Sequence, residues 1–247
     1  MSGSSGPRYS RILLKLSGEA LMGDLETGID PVILDRVAGE IASLGEIGVQ
    51  TGVVIGGGNI FRGAELASRG LDRVTGDQMG MLATVINALA AQDVLLKMNV
   101  DCRVMSSFQV GTACEVFSRS EALRHLEAGR TVIFAGGTGN PFFTTDSAAS
   151  LRAGEIGAGM MIKATKVDGV YDADPVKYPE AKRFDRISYN EAIKRGLGVM
   201  DTTALVICRD QGIPLRVIDM FSPGALLDTV MGAEVGTIVS DEDSEND

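Results

Sequence analysis

Tryptophan is absent from this 247-residue chain, histidine occurs once, at His125, and the three cysteines, Cys102, Cys114 and Cys208, stand far apart. Without a C-x-x-C pair or further histidines a zinc site lacks ligands. The thiols read as reduced, buried residues of a cytoplasmic protein. His125 falls in Glu121-Ala122-Leu123-Arg124-His125-Leu126, a helical stretch in which a packed or solvent-facing ring is expected, so Ser–His or Cys–His nucleophilic chemistry has little support. No apolar run approaches the ~18 residues of a membrane span. A basic surface is also missing. The formal charge is −10, and without the five acidic residues of the segment 241–247 it is still −5. Such a chain does not attract nucleic acid through bulk charge, whereas a nucleotide enzyme needs only a few local cations. Neither G-x-x-x-x-G-K-[ST] nor a G-x-G-x-x-G after the first strand occurs, which excludes a P-loop and argues against a dinucleotide site.

What is present is an ordinary globular composition, 45% hydrophobic and 23% charged. Residues 1–8 begin with the Gly/Ser stretch Met1-Ser2-Gly3-Ser4-Ser5-Gly6 and are read as a leader outside the fold; 9–240 as one domain; 241–247 as a solvated acidic tail. Strands are expected at 11–16, 50–55, 102–105, 131–135, 159–164, 215–219 and 237–240. Runs such as Gly52-Val53-Val54-Ile55 and Thr131-Val132-Ile133-Phe134-Ala135 are apolar on both faces, as strands of a parallel sheet covered on both sides must be. Helix starts are marked by Asp30-Pro31 and by the capping-box spacings Ser118/Glu121 and Ser188/Glu191. Between Gln78 and Lys97, Leu82, Val85, Ile86 and Leu89 recur at helical spacing. The alternation predicts a three-layer α/β/α sandwich with a mainly parallel central sheet.

Four segments follow strands, where open α/β sheets bind ligands. In Leu14-Lys15-Leu16-Ser17-Gly18-Glu19 a lysine interrupts an apolar strand; it meets an anion or else reaches solvent at the strand end. In Ile55-Gly56-Gly57-Gly58-Asn59, with Phe61-Arg62-Gly63 after it, the glycines permit unusual dihedrals and an amide nest, and Arg62 offers a planar fork for phosphate. The third, Gly136-Gly137-Thr138-Gly139-Asn140-Pro141-Phe142-Phe143-Thr144-Thr145-Asp146, combines glycines, hydroxyls and aromatics before a helix. It suits a phosphate and a base edge, or is a plain loop in which Thr144 or Thr145 caps the helix. The fourth, Lys163-Ala164-Thr165-Lys166-Val167-Asp168-Gly169-Val170-Tyr171-Asp172-Ala173-Asp174, has the composition of a nucleotide lid, or of a hairpin turning at Asp168-Gly169.

In this order the four segments resemble the amino-acid kinase superfamily and, within it, the bacterial uridylate kinases, over roughly residues 9–240. The run from Gly137 to Asp146 is the most distinctive part. The resemblance implies ATP-dependent phosphorylation of UMP to UDP in pyrimidine nucleotide biosynthesis, with Mg²⁺ accompanying ATP and no metal held directly by the protein. It assigns catalysis to Lys15, Arg62 and Asp146, and ATP binding to Lys15, Leu16, Ser17, Gly18, Gly58, Arg62, Thr165, Tyr171 and Asp174. UMP falls to Gly57, Asp77, Thr138, Gly139, Asn140, Pro141, Phe142, Phe143, Thr144 and Thr145. It further implies a cytoplasmic homohexamer, with GTP as activator, UTP as inhibitor, and Arg103 and Arg130 as candidate effector residues. The arginine and histidine typical of the family around Gln92 and Leu96 are missing here, which points to a weaker GTP response. Asp77 has a second reading, as the N-cap of a helix starting near Gln78.

Phosphoryl transfer asks mainly for alignment and positive charge, and a phosphate acceptor needs no strong base. Asp146 is therefore expected to orient Lys15 or a metal-bound water rather than to take a proton. Two rivals stand beside this reading. The first is a kinase of the same fold acting on a carboxylate or carbamate, which Asp77 and the Asn-Pro-Phe-Phe-Thr-Thr-Asp loop argue against. The second is a catalytically silent nucleotide sensor, which Lys15, Arg62 and Asp146 argue against.

Overall fold

The central strands form where uninterrupted β-rich runs stand in the sequence. The computed structural model describes residues 6–61 and 70–241. Residues 1–5 of the leader, Arg62 and the tail from residue 242 onward lie outside the described residues. In chain order the elements are β1 (Arg11–Leu16), a 3₁₀ turn (Gly18–Met22), α1 (Pro31–Glu46), β2 (Gln50–Ile55), α2 (Arg73–Lys97), β3 (Cys102–Ser106), β4 (Glu115–Val116), α3 (Arg119–Glu127) and β5 (Thr131–Ala135). They continue with α4 (Thr145–Ile156), β6 (Met160–Thr165), β7 (Val170–Tyr171), β8 (Arg183–Phe184), β9 (Arg186–Ile187), α5 (Tyr189–Arg195), α6 (Thr202–Asp210), β10 (Leu215–Asp219), α7 (Ala225–Met231) and β11 (Thr237–Val239).

Nine strands make one sheet in the order β4-β3-β5-β2-β1-β6-β10-β11-β9, parallel throughout except where β10 meets β11. Strand alternation sends Ile12, Leu14 and Leu16 to one side, where they pack with Val37 and Ile41 of α1, Val85 and Leu95 of α2 and Leu226 of α7. Leu13 and Met161 point the other way, against Leu126, Ala149, Ala192 and Leu205 of α3 to α6. Each such buried leucine or isoleucine contributes roughly 1.5–3 kcal/mol. The three-layer sandwich is therefore as expected, with the carboxyl ends of β1, β2, β5 and β6 together on one edge.

Local details differ from the sequence expectations. The long helix starts at Arg73, capped by Asp72 accepting from the Thr75 amide at 2.9 Å, so Asp77 sits one turn inside it and is no cap. Its expected apolar stripe is split: Val85 is buried, but Leu82 and Ile86 are 48% and 51% exposed, because the buried face runs instead through Ala83, Thr84, Asn87, Ala88 and Ala91. By length and composition α2 is also apolar enough to cross a membrane, contrary to the sequence expectation, although its inner face is part of the core. Ser118 precedes α3 as expected without capping it, since its hydroxyl pairs with that of Ser120 at 2.9 Å. Asp30 and Ser188 do cap, accepting from Val32 and Glu191 amides at 2.8 and 3.2 Å. Asp168-Gly169 is not a tight hairpin turn: it leads from β6 of the main sheet into β7, whose antiparallel partner is the distant β8.

Candidate active site

Lys15 and Lys163 are direct partners in the β1–β6 ladder, and both side chains fall on the α4 side of the sheet. There they share Asp146, in the first turn of α4: Lys15 Nζ lies 2.5 Å from Oδ1, and Lys163 Nζ donates to Oδ2 at 2.9 Å and to the Val199 carbonyl. All three side chains are largely buried. Burial by itself pushes the Asp146 carboxyl up, but the two ammonium groups outweigh it and hold it below the ordinary 3.8. Burial also lowers Lys163 from 10.5, an effect that Asp146 only partly offsets. Oδ1 has no aligned hydrogen bond, so Lys15 is held there by charge.

The glycine turn after β2 lies beside the start of α4, where a Cβ on Gly56 would come within 3.4 Å of Thr145 Oγ1. Gly56, Gly57 and Gly58 keep ordinary negative φ, so the nest expected from unusual dihedrals is not what requires glycine here. Space does. A Cβ on Gly57 would come within 2.7 Å of the Gly80 carbonyl, and one on Gly18 within 2.4 Å of the Gly56 carbonyl. Positive φ occurs instead after β5, at Gly136, Gly137 and Gly139 (+76°, +56° and +80°) and at Phe142 (+73°), where a side chain makes the left-handed conformation costly.

Phe142 is held in that conformation by Asp77, whose Oδ2 accepts from the Phe142 amide at 2.7 Å while both carboxylate oxygens accept from Arg73 Nε at 2.9 Å. Arg73 also lies over the Phe142 ring, 5.8 Å from its centroid. Asp77 thus ties α2 to the third segment. Thr144 is the true cap of α4, accepting from the Asp146 and Ser147 amides at 3.1 and 3.2 Å, and its hydroxyl donates to Asp201. Thr138 and Asn140 bond to one another within the exposed loop, where Phe142 and Phe143 are open to solvent.

Two clefts open near the lysine pair, which itself lines only the larger; the smaller reaches Thr145, the neighbour of Asp146. One of about 600 Å³ is lined by Lys15, Ser17, Lys163, Thr165, Tyr171 and Asp174 among others. The other, about 280 Å³, is lined by Gly57, Gly58, Asp77, Phe143, Thr144 and Thr145. In the larger, Tyr171 donates to Asp168 at 2.6 Å, and Asp174 accepts from the Val176 amide at 3.0 Å. The structure therefore separates the expected residues into two groups, with Gly58 on the side of the smaller cleft rather than the larger. The Leu16 side chain is in the core on the opposite face, and its carbonyl accepts from the Gly56 amide at 2.9 Å. Leu16 thus has only backbone to offer a ligand, and its carbonyl is occupied. Arg103 and Arg130 stand at the opposite end of the sheet, each 2.7 Å from Asp101. Beside them the buried His125 bridges Glu115 at 3.0 Å and Arg130 at 3.2 Å.

Three residues at the site are absent from the sequence assignment. Lys163 had a signal: Leu13-Leu14-Lys15-Leu16-Ser17 and Met161-Ile162-Lys163-Ala164-Thr165 share the pattern of two apolar residues, lysine, apolar residue and hydroxyl. Asp201, which accepts from Thr144 and from Ser147 at 2.9 Å, and Arg73 come from distant or unremarkable stretches.

Residues 10–219 match the amino acid kinase family. The uridylate kinase of Methylococcus capsulatus is 63% identical over 233 residues, spanning 94% of this chain and 98% of the relative. That of Pseudomonas aeruginosa PAO1 is 60% identical, spanning 95% and 96%. The crystal structure of UMP kinase from Bacillus anthracis superposes with a TM-score of 0.92 at 38% identity, covering 95% of this chain and 97% of that one. UMP kinase from Ureaplasma parvum gives 0.88 at 35%, covering 94% and 99%. The chain belongs to the amino acid kinase family and, within it, to the uridylate kinases.

Proposed function

We propose that the chain transfers the γ-phosphoryl group of ATP to UMP, giving ADP and UDP. The observation that carries this reading is a pair of neighbouring clefts, the larger lined by the buried lysine pair and the smaller reaching Thr145, next to the Asp146 that both lysines share, which suits a transfer between two bound nucleotides. The larger cleft, with Thr165, Tyr171 and Asp174, takes ATP; the smaller, beneath Asp77 and the Phe143–Thr145 stretch, takes UMP.

Two anions must approach, and two preorganised ammonium groups offset their repulsion where they do. Lys163 is fixed by Asp146 and the Val199 carbonyl, whereas Lys15 can turn from Oδ1 to a phosphate oxygen. The close backbone around Gly57 and the amino end of α4 face the acceptor phosphate. Asp146, held ionised, pairs with both lysines and aims them; no residue here has to take a proton from a phosphate dianion. Among the described residues no group of three or more His, Cys, Asp or Glu side chains is placed to hold a metal ion, and Asp146 is engaged by two lysines. In this reading Mg²⁺ arrives with ATP and adds neutralising charge to its phosphates.

The same reading makes the protein a cytoplasmic homohexamer of pyrimidine nucleotide biosynthesis. The exposed Leu82 and Ile86 on α2 support burial against a second copy, and the buried Cys102, pushed up to about 12 by burial, suits a reducing compartment. GTP would act as activator through Arg103 and Arg130, which would exchange Asp101 for its phosphates. UTP, carrying the same uridine, would inhibit by competing under Asp77. Incubation with ATP, Mg²⁺ and UMP tests the central step: equal amounts of UDP and ADP are expected, and ADP without UDP overturns it.

A further inference from the structure

A single face of α2 grips both glycine turns. Asn87 and Thr84 stand three residues apart, hence on the same side of the helix, and both are buried. Asn87 Nδ2 donates to the Gly56 carbonyl at 2.7 Å and to Asn59 Oδ1 at 2.7 Å. Asn59 Nδ2 donates back to Asn87 Oδ1 at 2.9 Å and to the Gly28 carbonyl at 2.9 Å. The two amides thus close a reciprocal pair in which every polar atom has a partner. One turn earlier, Thr84 Oγ1 accepts from the Gly136 amide at 2.8 Å and donates to the Met81 carbonyl at 2.6 Å. In the turn that leads up to Thr84 the helix lies against Gly57 so closely that a Cβ there would meet the Gly80 carbonyl and Ala83.

Apolar residues of similar shape could fill both positions, but they would leave the Gly136 amide, the Gly56 carbonyl and the Asn59 side chain buried without these partners, so some loss of stability is expected too. What an apolar residue cannot do is set where a turn's backbone stops. Asn87 fixes the turn after β2, and Thr84 fixes the loop after β5; between them lies the space in which the acceptor phosphate would sit. We propose that Asn87 and Thr84, the latter at the wall of the smaller cleft, are positioning residues that set the separation of the two turns, and so govern the transfer step through alignment. This rests on the kinase reading above.

Thr84→Val keeps the shape and removes the acceptor of the Gly136 amide; Thr84→Ser keeps the acceptor. With Thr84→Val, kcat should fall roughly 10- to 100-fold, since small misplacements act on the rate at about that scale, while both KM values stay within about threefold. Thr84→Ser should restore most of the rate. Asn87→Leu should behave as Thr84→Val does, and the double variant should lose less than the product of the single losses, as residues serving one alignment do. Amide exchange gives an independent readout: Thr84→Val should speed exchange at Gly136, and Asn87→Leu at Gly57 and Gly58. A folded Thr84→Val protein with parental kcat overturns the proposal, as does one whose only change is a lower melting temperature. If Asn87→Leu does not fold, the two Thr84 variants decide. If the parent makes no UDP, the kinase reading fails, and unchanged exchange in the variants then overturns the positioning role as well.

Discussion

Lys15 and Lys163 face one another across the β1–β6 ladder and close on the same carboxylate, that of Asp146. Two cations side by side in a buried place repel; Asp146 lies between them, and the Asp201 carboxylate also favours the charged form of Lys163. Such a pair offers preorganised positive charge to an approaching phosphate.

Lys163→Met should therefore act chiefly on the transition state, lowering kcat roughly 10²- to 10³-fold, as loss of one preorganised donor does. Lys163→Arg adds a pH test. Burial lowers the Lys163 ammonium from 10.5, so in the parent it loses its proton on the alkaline side before a free lysine would. The alkaline fall of kcat/KM should begin below pH 10.5 in the parent and move upward in Lys163→Arg, whose guanidinium does not titrate. Superimposable alkaline limbs would show that Lys163 does not set this limb.

Asp146→Asn leaves both lysines without their counter-charge. Removing one partner from a buried ion pair costs about 3–5 kcal/mol, and urea unfolding at pH 7 should show a loss of that order. The sign with pH follows from the lowered carboxyl: its contribution is complete above the unfolded value of 3.8 and disappears as pH falls through the lower folded value. Parent and variant should thus converge in stability below pH 3.8, and a gap that stays constant into that range would contradict the ion-pair assignment.

Much of this was legible in the sequence. Apolar runs bounded by glycine located the central strands, and lysine inside such a run marked Lys15, because burying an unpaired ammonium is too costly to be incidental. Lys163 repeats the same pattern, but its role depends on register, which puts the two strands side by side and is set by the whole sheet. The start of α2 was misplaced because Asp77-Gln78 and Asp72-Arg73 offer similar capping residues, and only the Thr75 amide decides between them. Its exposed stripe misled for another reason: glycine turns that need close contact favour Ala83, Thr84 and Asn87 over larger residues at the buried face. Asp201 lies 57 residues from Thr144, a pairing that no local pattern announces.

Asp77 holds Phe142 in its positive-φ conformation and faces the smaller cleft. Asp77→Asn loses the charge-assisted bonds to Arg73 and weakens the hold on the Phe142 amide. A hydrogen bond to a charged group contributes about 1.5–3 kcal/mol, so KM for UMP should rise roughly 10- to 100-fold. KM for ATP should stay nearly constant, because the residues proposed for ATP line the other cleft. Equal rises in both constants would place Asp77 in general folding rather than in acceptor binding.

ADP release with UMP, CMP, dCMP and AMP measured in parallel bears most directly on the acceptor. A loop that pairs with the carbonyls and N3–H of uracil would set the amino group of cytosine against a donor, and one unpaired buried polar group costs about 1–3 kcal/mol, or on the order of 10- to 100-fold. UMP should therefore exceed CMP in kcat/KM by at least about tenfold, with dCMP and AMP lower still. Equal turnover of UMP and CMP, or preference for AMP, would contradict the assignment of the smaller cleft to uridine monophosphate.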